Sequence, residues 1–178
     1  MTKDFDKSAP PNIRYKKTLE IVNKYISKDE KVLDFGTINP FTEIMLHEGF
    51  QVENTKGEDL DTEYGKINDY DVDCYTSFEL FEHLLAPYNV LKEIKKGKLV
   101  SSVPLNVWFA KSYWNNNDEW DQHYHEFEPR QYDLLLKKAG WKIIHRELVK
   151  KPDRLRFGIR PLLRYIYPSY YFVVAIKE

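Results

Sequence analysis

Apolar residues first recur along the chain at helical spacing. From Ile13 to Ile26, Tyr15, Leu19, Val22 and Ile26 line one side, with Lys and Glu between them, the pattern of an amphipathic helix. Val32, Leu33 and Phe35 then form a short apolar run through Asp34 that stops at Gly36, as a buried strand runs into a turn. Asn39 before Pro40 predicts a second helix, with Asn as N-cap and Pro at its first position, closed by Gly49. The segment "FQVENTKGEDLD" reads as a second strand with an acidic end, and "YDVDCYTSF", 70–78, as a third. Pro87 opens a helix carrying Val90, Leu91 and Ile94 that stops at Lys96–Gly97, and "KLVSSVP" is the next strand. Residues 105–128 have no clear period. Pro129 begins a helix with Tyr132, Leu135, Leu136 and Ala139 facing inward, ended by Gly140, and "WKIIHRELV" and "YYFVVAIKE" are the last two strands.

Strands alternating with helices predict an α/β fold: a doubly wound, mostly parallel sheet with helices on both faces. In such sheets ligands bind beyond the carboxyl ends of the strands, so the residues that follow each strand are the ones to interrogate. No repeat or linker divides the chain. It reads as one domain over 1–178, with a loose tail at 1–12, an aromatic lid at 105–128 and a basic-apolar insertion at 150–170.

Composition narrows the partners. A net charge of −1 over 178 residues gives no global field for nucleic acid. The single cysteine, Cys74, permits no internal disulfide and fits a reducing, cytoplasmic setting. No apolar run approaches the roughly 20 residues of a transmembrane segment, and the charged amino terminus lacks the apolar core of a secretory signal. Three of the four tryptophans lie between 108 and 120, in "NVWFAKSYWNNNDEWDQHYHEF". Rigid aromatic faces among amide and carboxylate groups suit a ring-shaped small-molecule acceptor. In 150–170, Lys150, Lys151, Arg154, Arg156, Arg160 and Arg164 face a single acid, Asp153, with apolar residues interleaved. That is either a surface for an anionic acceptor, lipid headgroup or partner, or a solvated connection with buried anchors.

Four segments together resemble the class I S-adenosylmethionine-dependent methyltransferases, over roughly Lys31 to Gly140. "KVLDFG" is similar to that family's first motif. "YDVDCYTSFELFEHL" resembles its fourth strand, followed by the Glu82–His83 pair. "VLKEIKKGKLVSSVP" resembles its helix, Lys–Gly turn and fifth strand, and "HYHEFEPRQYDLLLKKAGW" a late segment ending Ala–Gly–aromatic. The resemblance implies a Rossmann-like sheet with an antiparallel last strand, S-adenosylmethionine as cofactor and methyl transfer as activity. The chain departs from the family pattern where Ile38 and Pro40 replace two glycines of the first motif, and where a short segment before Tyr70 leaves a third strand missing or vestigial. The glycine-poor loop is expected to bind cofactor more weakly, because Ile38 and Pro40 carry bulk near the ligand.

On this reading Asp34, Gly36 and Thr37 shape the cofactor loop, Gly36 by letting backbone approach the ligand closely. The amide groups that start the helix at Asn39–Pro40 are expected to face the ligand carboxylate. Ser77 and Phe78 leave the fourth strand beside the methionine part. A carboxylate after the second strand would accept both ribose hydroxyls; Asp59 is preferred, with Glu58 and Glu53 behind it, and a solvated acidic loop is the competing reading. His83 is a candidate general base, or else it orders the loop over the fourth strand. On a helix Glu82 and His83 would point about 100° apart and not face one atom. His123 is a candidate substrate-facing base, or else it supplies an orienting hydrogen bond. His123-x-His125 lacks a third ligand at helpful spacing, so no metal is expected. Methyl transfer needs alignment, a dry site and sometimes a base, which explains the lack of a nucleophile motif. The alternative is a non-catalytic methyltransferase-like binding protein with a degenerate loop.

Overall fold

Alternate residues of each central strand face opposite layers. In the computed structural model, which describes residues 13–118, 120–150 and 158–178, Val32, Cys74, Val100 and Val174 point to one side, and Leu33, Tyr75, Leu99 and Val173 to the other. Strand side chains alternate with a period of two. Both sides of the central strands are apolar, so both must be covered. The strands are β1 (Lys31–Asp34), β2 (Gln51–Asn54), β3 (Cys74–Phe78), β4 (Gly97–Pro104), β5 (Lys142–Val149) and β6 (Tyr170–Lys177). They form one sheet in the order β2-β1-β3-β4-β6-β5. The β1–β2, β1–β3 and β3–β4 pairs are parallel, and β6 runs antiparallel to both neighbours. The expected doubly wound, mostly parallel sheet with an antiparallel last strand is what is found.

Helices α1 (Ile13–Tyr25) and α2 (Pro40–His47) cover one face through Val22, Ile26, Phe41 and Met45. Helices α3 (Pro87–Glu93) and α4 (Pro129–Lys138) cover the other through Val90, Leu91, Tyr132 and Leu136. Trp141 is tied to α3 by its indole N–H, which donates to the Leu91 carbonyl at 3.0 Å. A fifth helix, α5 (Ile159–Ile166), lies before β6.

Two elements differ from the sequence reading. The second strand ends at Asn54, before the acidic "GEDLD", which forms a turn. The strand read over 70–78 is β3 and begins only at Cys74; before it the described chain forms a 3-10 turn over Tyr64–Asp69 and no strand, as the short segment before Tyr70 leads one to expect, which leaves β2 at the sheet edge. The 1–12 tail and the 151–157 part of the basic-apolar stretch lie outside the described residues. No helix among the described residues is long and apolar enough to cross a membrane.

Candidate functional site

Strands β1, β3 and β4 are parallel neighbours, so the chain leaves all three at one edge of the sheet. A cavity of about 400 Å³ opens there, lined by Asp34, Phe35, Gly36, Thr37 and Asn39 after β1 and by Phe78, Glu79 and Leu80 after β3. Helix α1 closes it with Arg14, Tyr15 and Thr18. Of the expected cofactor residues, Asp34, Gly36, Thr37 and Phe78 therefore meet at one cavity.

Asp34 organises this cavity. Its carboxylate accepts from the Thr76 hydroxyl at 2.7 Å, the Thr42 hydroxyl at 2.9 Å, the Asn54 amide at 3.1 Å and the Asn39 amide at 3.2 Å. These donors come from β3, α2, the end of β2 and the α2 cap, so one buried side chain ties four elements together. Burial pushes its carboxyl above the usual range, and the four donors oppose that shift. Its oxygens are occupied by the protein, which makes Asp34 a positioning residue for the loop.

Gly36 has φ +95°, a conformation that glycine adopts without penalty. Thr55 clamps it: the Gly36 N–H donates to the Thr55 hydroxyl at 2.9 Å, and that hydroxyl lies 3.2 Å from the Gly36 carbonyl. The start of α2 corrects one expectation. Pro40 has no N–H, and the Phe41 and Thr42 amides both donate to the Asn39 side chain at 2.9 and 3.2 Å. The cap consumes the groups that were expected to face a ligand carboxylate. Ile38 corrects another, because it is 70% exposed and does not line the cavity. Its bulk points into solvent, and Pro40 too is absent from the cavity wall.

Ser77 lies inside the sheet, opposite Ser101 of β4, and away from the cavity wall. Asp59 accepts from the Asp61 amide and the Thr62 hydroxyl within its own turn. Glu58 holds the Tyr70 hydroxyl at 2.6 Å, and Glu53 sits exposed on β2. None of these three acids lines the cavity. The carboxylate that does, besides Asp34, is Glu79, which accepts from the Ser102 hydroxyl at 2.8 Å and sits 3.8 Å from the Arg14 guanidinium. Sequence reasoning missed Arg14, Thr18 and Glu79. Arg14 and Thr18 belong to a helix legible only as amphipathic, and only the folded chain brings α1 over the ends of β1 and β3.

A second cavity, of about 280 Å³, lies beyond β4. Leu105, Val107, Lys111, Tyr113, His123 and Glu126 of the aromatic segment line it, with Ser169 and Tyr170 at the start of β6. The Arg14 guanidinium lies 5.8 Å from the centre of the Tyr170 ring, so one lining residue of each cavity stands beside the other. Trp108, Trp114 and Trp120 are exposed around the segment. The Phe109 ring lies 5.8 Å from Tyr167, which links the segment to the end of α5.

His83 and His123 come together, with ring centres 4.7 Å apart and planes at 88°. Burial holds both below the ordinary histidine value, so both are neutral bases near neutral pH. His83 Nδ1 lies 3.1 Å from the Gln122 carbonyl and His83 Nε2 3.8 Å from Glu82. His125 is turned elsewhere, its Nε2 against the Leu85 carbonyl and its ring stacked on Phe127. The Glu82 backbone carbonyl accepts from the Tyr124 and His125 amides, which fastens the aromatic segment to the turn after β3. Glu82 and His83 lie in a single 3-10 turn, Phe81–His83, and their side chains converge, contrary to the helical estimate.

This sheet order and helix placement define the class I methyltransferase fold. No family model matches the chain, and no curated protein does. Many solved structures are similar to it. An S-adenosylmethionine-dependent methyltransferase from Archaeoglobus fulgidus superposes with a TM-score of 0.61 at 16% identity, over 92% of this chain and 94% of that one. One from Mesorhizobium loti gives 0.55 at 12%, over 89% and 96%. The [4+2]-cyclase SpnF gives 0.60 at 12%, over 98% and 84%. At these identities the likeness establishes the fold, and the cyclase shows that the fold does not dictate the reaction.

Proposed function

We propose that the chain transfers the methyl group of S-adenosylmethionine to a small-molecule acceptor. The observation that carries this reading is the pair of cavities at the carboxyl ends of β1, β3 and β4, with Arg14 of one beside Tyr170 of the other. The residues of the larger cavity fit the cofactor. Arg14 supplies a cation for its carboxylate, Gly36 and Thr37 bring polar backbone close, and Phe35, Phe41, Phe78 and Leu80 give apolar wall. No carboxylate ends β2, so ribose recognition falls to the Glu79 side of the cavity rather than to Asp59. The fold's solved relatives named as S-adenosylmethionine-dependent support the same ligand.

When bound, this cofactor supplies an electrophilic methyl group for in-line displacement. The chain's own part is alignment, exclusion of water and proton handling. His123 lines the smaller cavity and is neutral, so it is the residue placed to take a proton from an acceptor hydroxyl or amine. His83 braces it edge-on. Lys111, Tyr113 and Tyr170 in the same wall favour an acceptor with an aromatic or sugar-like ring and an anionic group. A 280 Å³ cavity and a net charge of −1 favour a small molecule over nucleic acid. The Cys74 thiol, pushed up to about 12 by burial, is inert, in keeping with a reducing cytoplasmic setting. Calorimetric titration with S-adenosylmethionine and its demethylated product tests the reading. Binding of both is expected, and binding of neither would favour a non-catalytic protein of this fold.

A further inference from the structure

Glu82 is 1% exposed, and neither of its carboxylate oxygens has a hydrogen-bond partner. His83 Nε2 lies 3.8 Å from one of them. A buried carboxylate in that condition is costly unless a proton or a cation is shared with it. His83 is oriented from behind. With its Nδ1 proton directed to the Gln122 carbonyl at 3.1 Å, its Nε2 lone pair is the one that faces Glu82. When Glu82 is ionised, two acceptors thus face one another across a gap too long for a hydrogen bond. A ring nitrogen of His123 completes the group, and one ligand atom from each of Glu82, His83 and His123 lies within 4.8 Å of the others.

We propose that Glu82, His83 and His123 form a binding site for a divalent first-row transition ion, with zinc as its reference ligand. Metal–ligand bonds of about 2.0–2.2 Å at tetrahedral angles put ligand atoms about 3.3–3.6 Å apart. Glu82 and His83, at 3.8 Å, are near that spacing, and the cluster as a whole, within 4.8 Å, is about an ångström too wide at its limit, which rotation of the partly exposed His123 ring closes. Two imidazoles and one carboxylate select zinc, iron, cobalt or manganese over magnesium and calcium, which prefer all-oxygen sites. The backbone bond behind His83 is the usual support of a metal-bound imidazole. Other charges face the site: Glu79 adds negative potential at Glu82, Arg14 opposes it, and Asp121 acts on both histidines. Three protein ligands leave a coordination position open. His123 lines the 280 Å³ cavity, so the ion has an entry path, and with the ion bound the His123 lone pair is spent on it, which confines the base role of His123 in methyl transfer to the ion-free chain. That last consequence rests on the methyl-transfer reading; the binding site itself does not.

The test uses the full chain after treatment with chelator, titrated with zinc chloride by calorimetry in the absence of cofactor. One ion per chain at micromolar affinity or tighter is expected. A cobalt(II) titration should give visible bands of four- or five-coordinate nitrogen–oxygen ligation. His123→Ala, at a partly exposed position that should tolerate truncation, and His83→Gln should each weaken zinc binding at least tenfold. His125→Ala, outside the cluster, should leave it unchanged. Stoichiometric zinc binding that survives both His83→Gln and His123→Ala, or no zinc binding by the parent, overturns the proposal. A chain that binds zinc here but not S-adenosylmethionine keeps this site and loses the methyl-transfer reading; the opposite result does the reverse.

Discussion

Removing the Asp34 carboxylate should damage the fold more than its size suggests. In Asp34→Ala four donors lose their shared buried acceptor, although the Thr42 and Thr76 hydroxyls can rotate and the half-buried Asn39 and Asn54 amides keep backbone acceptors at Thr37 and Gly36. Each hydrogen bond lost is worth about 0.5–1.5 kcal/mol, so the four together set a loss of about 2–6 kcal/mol. That is a large share of the roughly 5–15 kcal/mol that holds a domain together. Asp34→Asn should behave differently. With its oxygen toward Thr42, Asn39 and Asn54, its amide can donate to the Thr76 hydroxyl. What disappears is the charge assistance, at about 1 kcal/mol. Urea denaturation of parent and both variants, compared at equal m-values, reads these differences. S-adenosylmethionine affinity of Asp34→Asn should change less than tenfold, because the carboxylate oxygens are spent on the protein. A loss in Asp34→Ala below about 1 kcal/mol would refute the hub. Full stability in Asp34→Asn with cofactor binding abolished would make Asp34 a direct ligand instead.

Gly36→Val is expected to abolish cofactor binding while leaving a folded chain, because a branched side chain at φ +95° is strained by about 1–2 kcal/mol and projects into the loop; unchanged affinity by calorimetry would rule Gly36 out of the site. Ile38→Gly is expected to leave cofactor affinity within about twofold, since Ile38 is turned to solvent; tighter binding would show that its side chain obstructs the ligand after all. Glu82 titrates in the folded state well above its ordinary value of 4.5, pushed there by burial and then by Glu79. A raised folded value means that its contribution to stability is fully present below about 4.5 and is lost as pH rises toward the folded value. In chelator, the melting temperature of Glu82→Gln relative to the parent should therefore rise as pH is raised above about 4.5, and a pH-independent gap would show that Glu82 is not held as a buried acid.

Much of the fold was legible because burial on both faces leaves a plain trace in the chain. The apolar runs at Val32–Phe35, Cys74–Phe78 and Leu99–Val103 could be covered only by the amphipathic helices between them, and the run at Tyr170–Ile176 pairs as an antiparallel strand between β4 and β5. Gly36 and Phe78 could be found because they follow strands directly. The acidic turn at Asp59 misled, since acidity does not mark where a strand ends; pairing ended β2 at Asn54, and its amide went to Asp34. Ile38 and Pro40 misled for a similar reason. Their side-chain directions depend on a loop conformation that Asp34, Asn39 and Thr55 impose together.

Only the tertiary structure could decide what meets across long separations. Arg14 reaches the cavity because α1 packs back over β1 and β3, 65 residues from Glu79 in the chain but 3.8 Å from it in space. His83 and His123 stand 40 positions apart, and no periodicity links them. They become neighbours because the Tyr124 and His125 amides bond the Glu82 carbonyl, folding the aromatic segment onto the turn after β3. Local patterning follows from what each residue does to its own backbone and its nearest face. Where two such segments touch depends on packing and backbone bonds that neither segment carries alone.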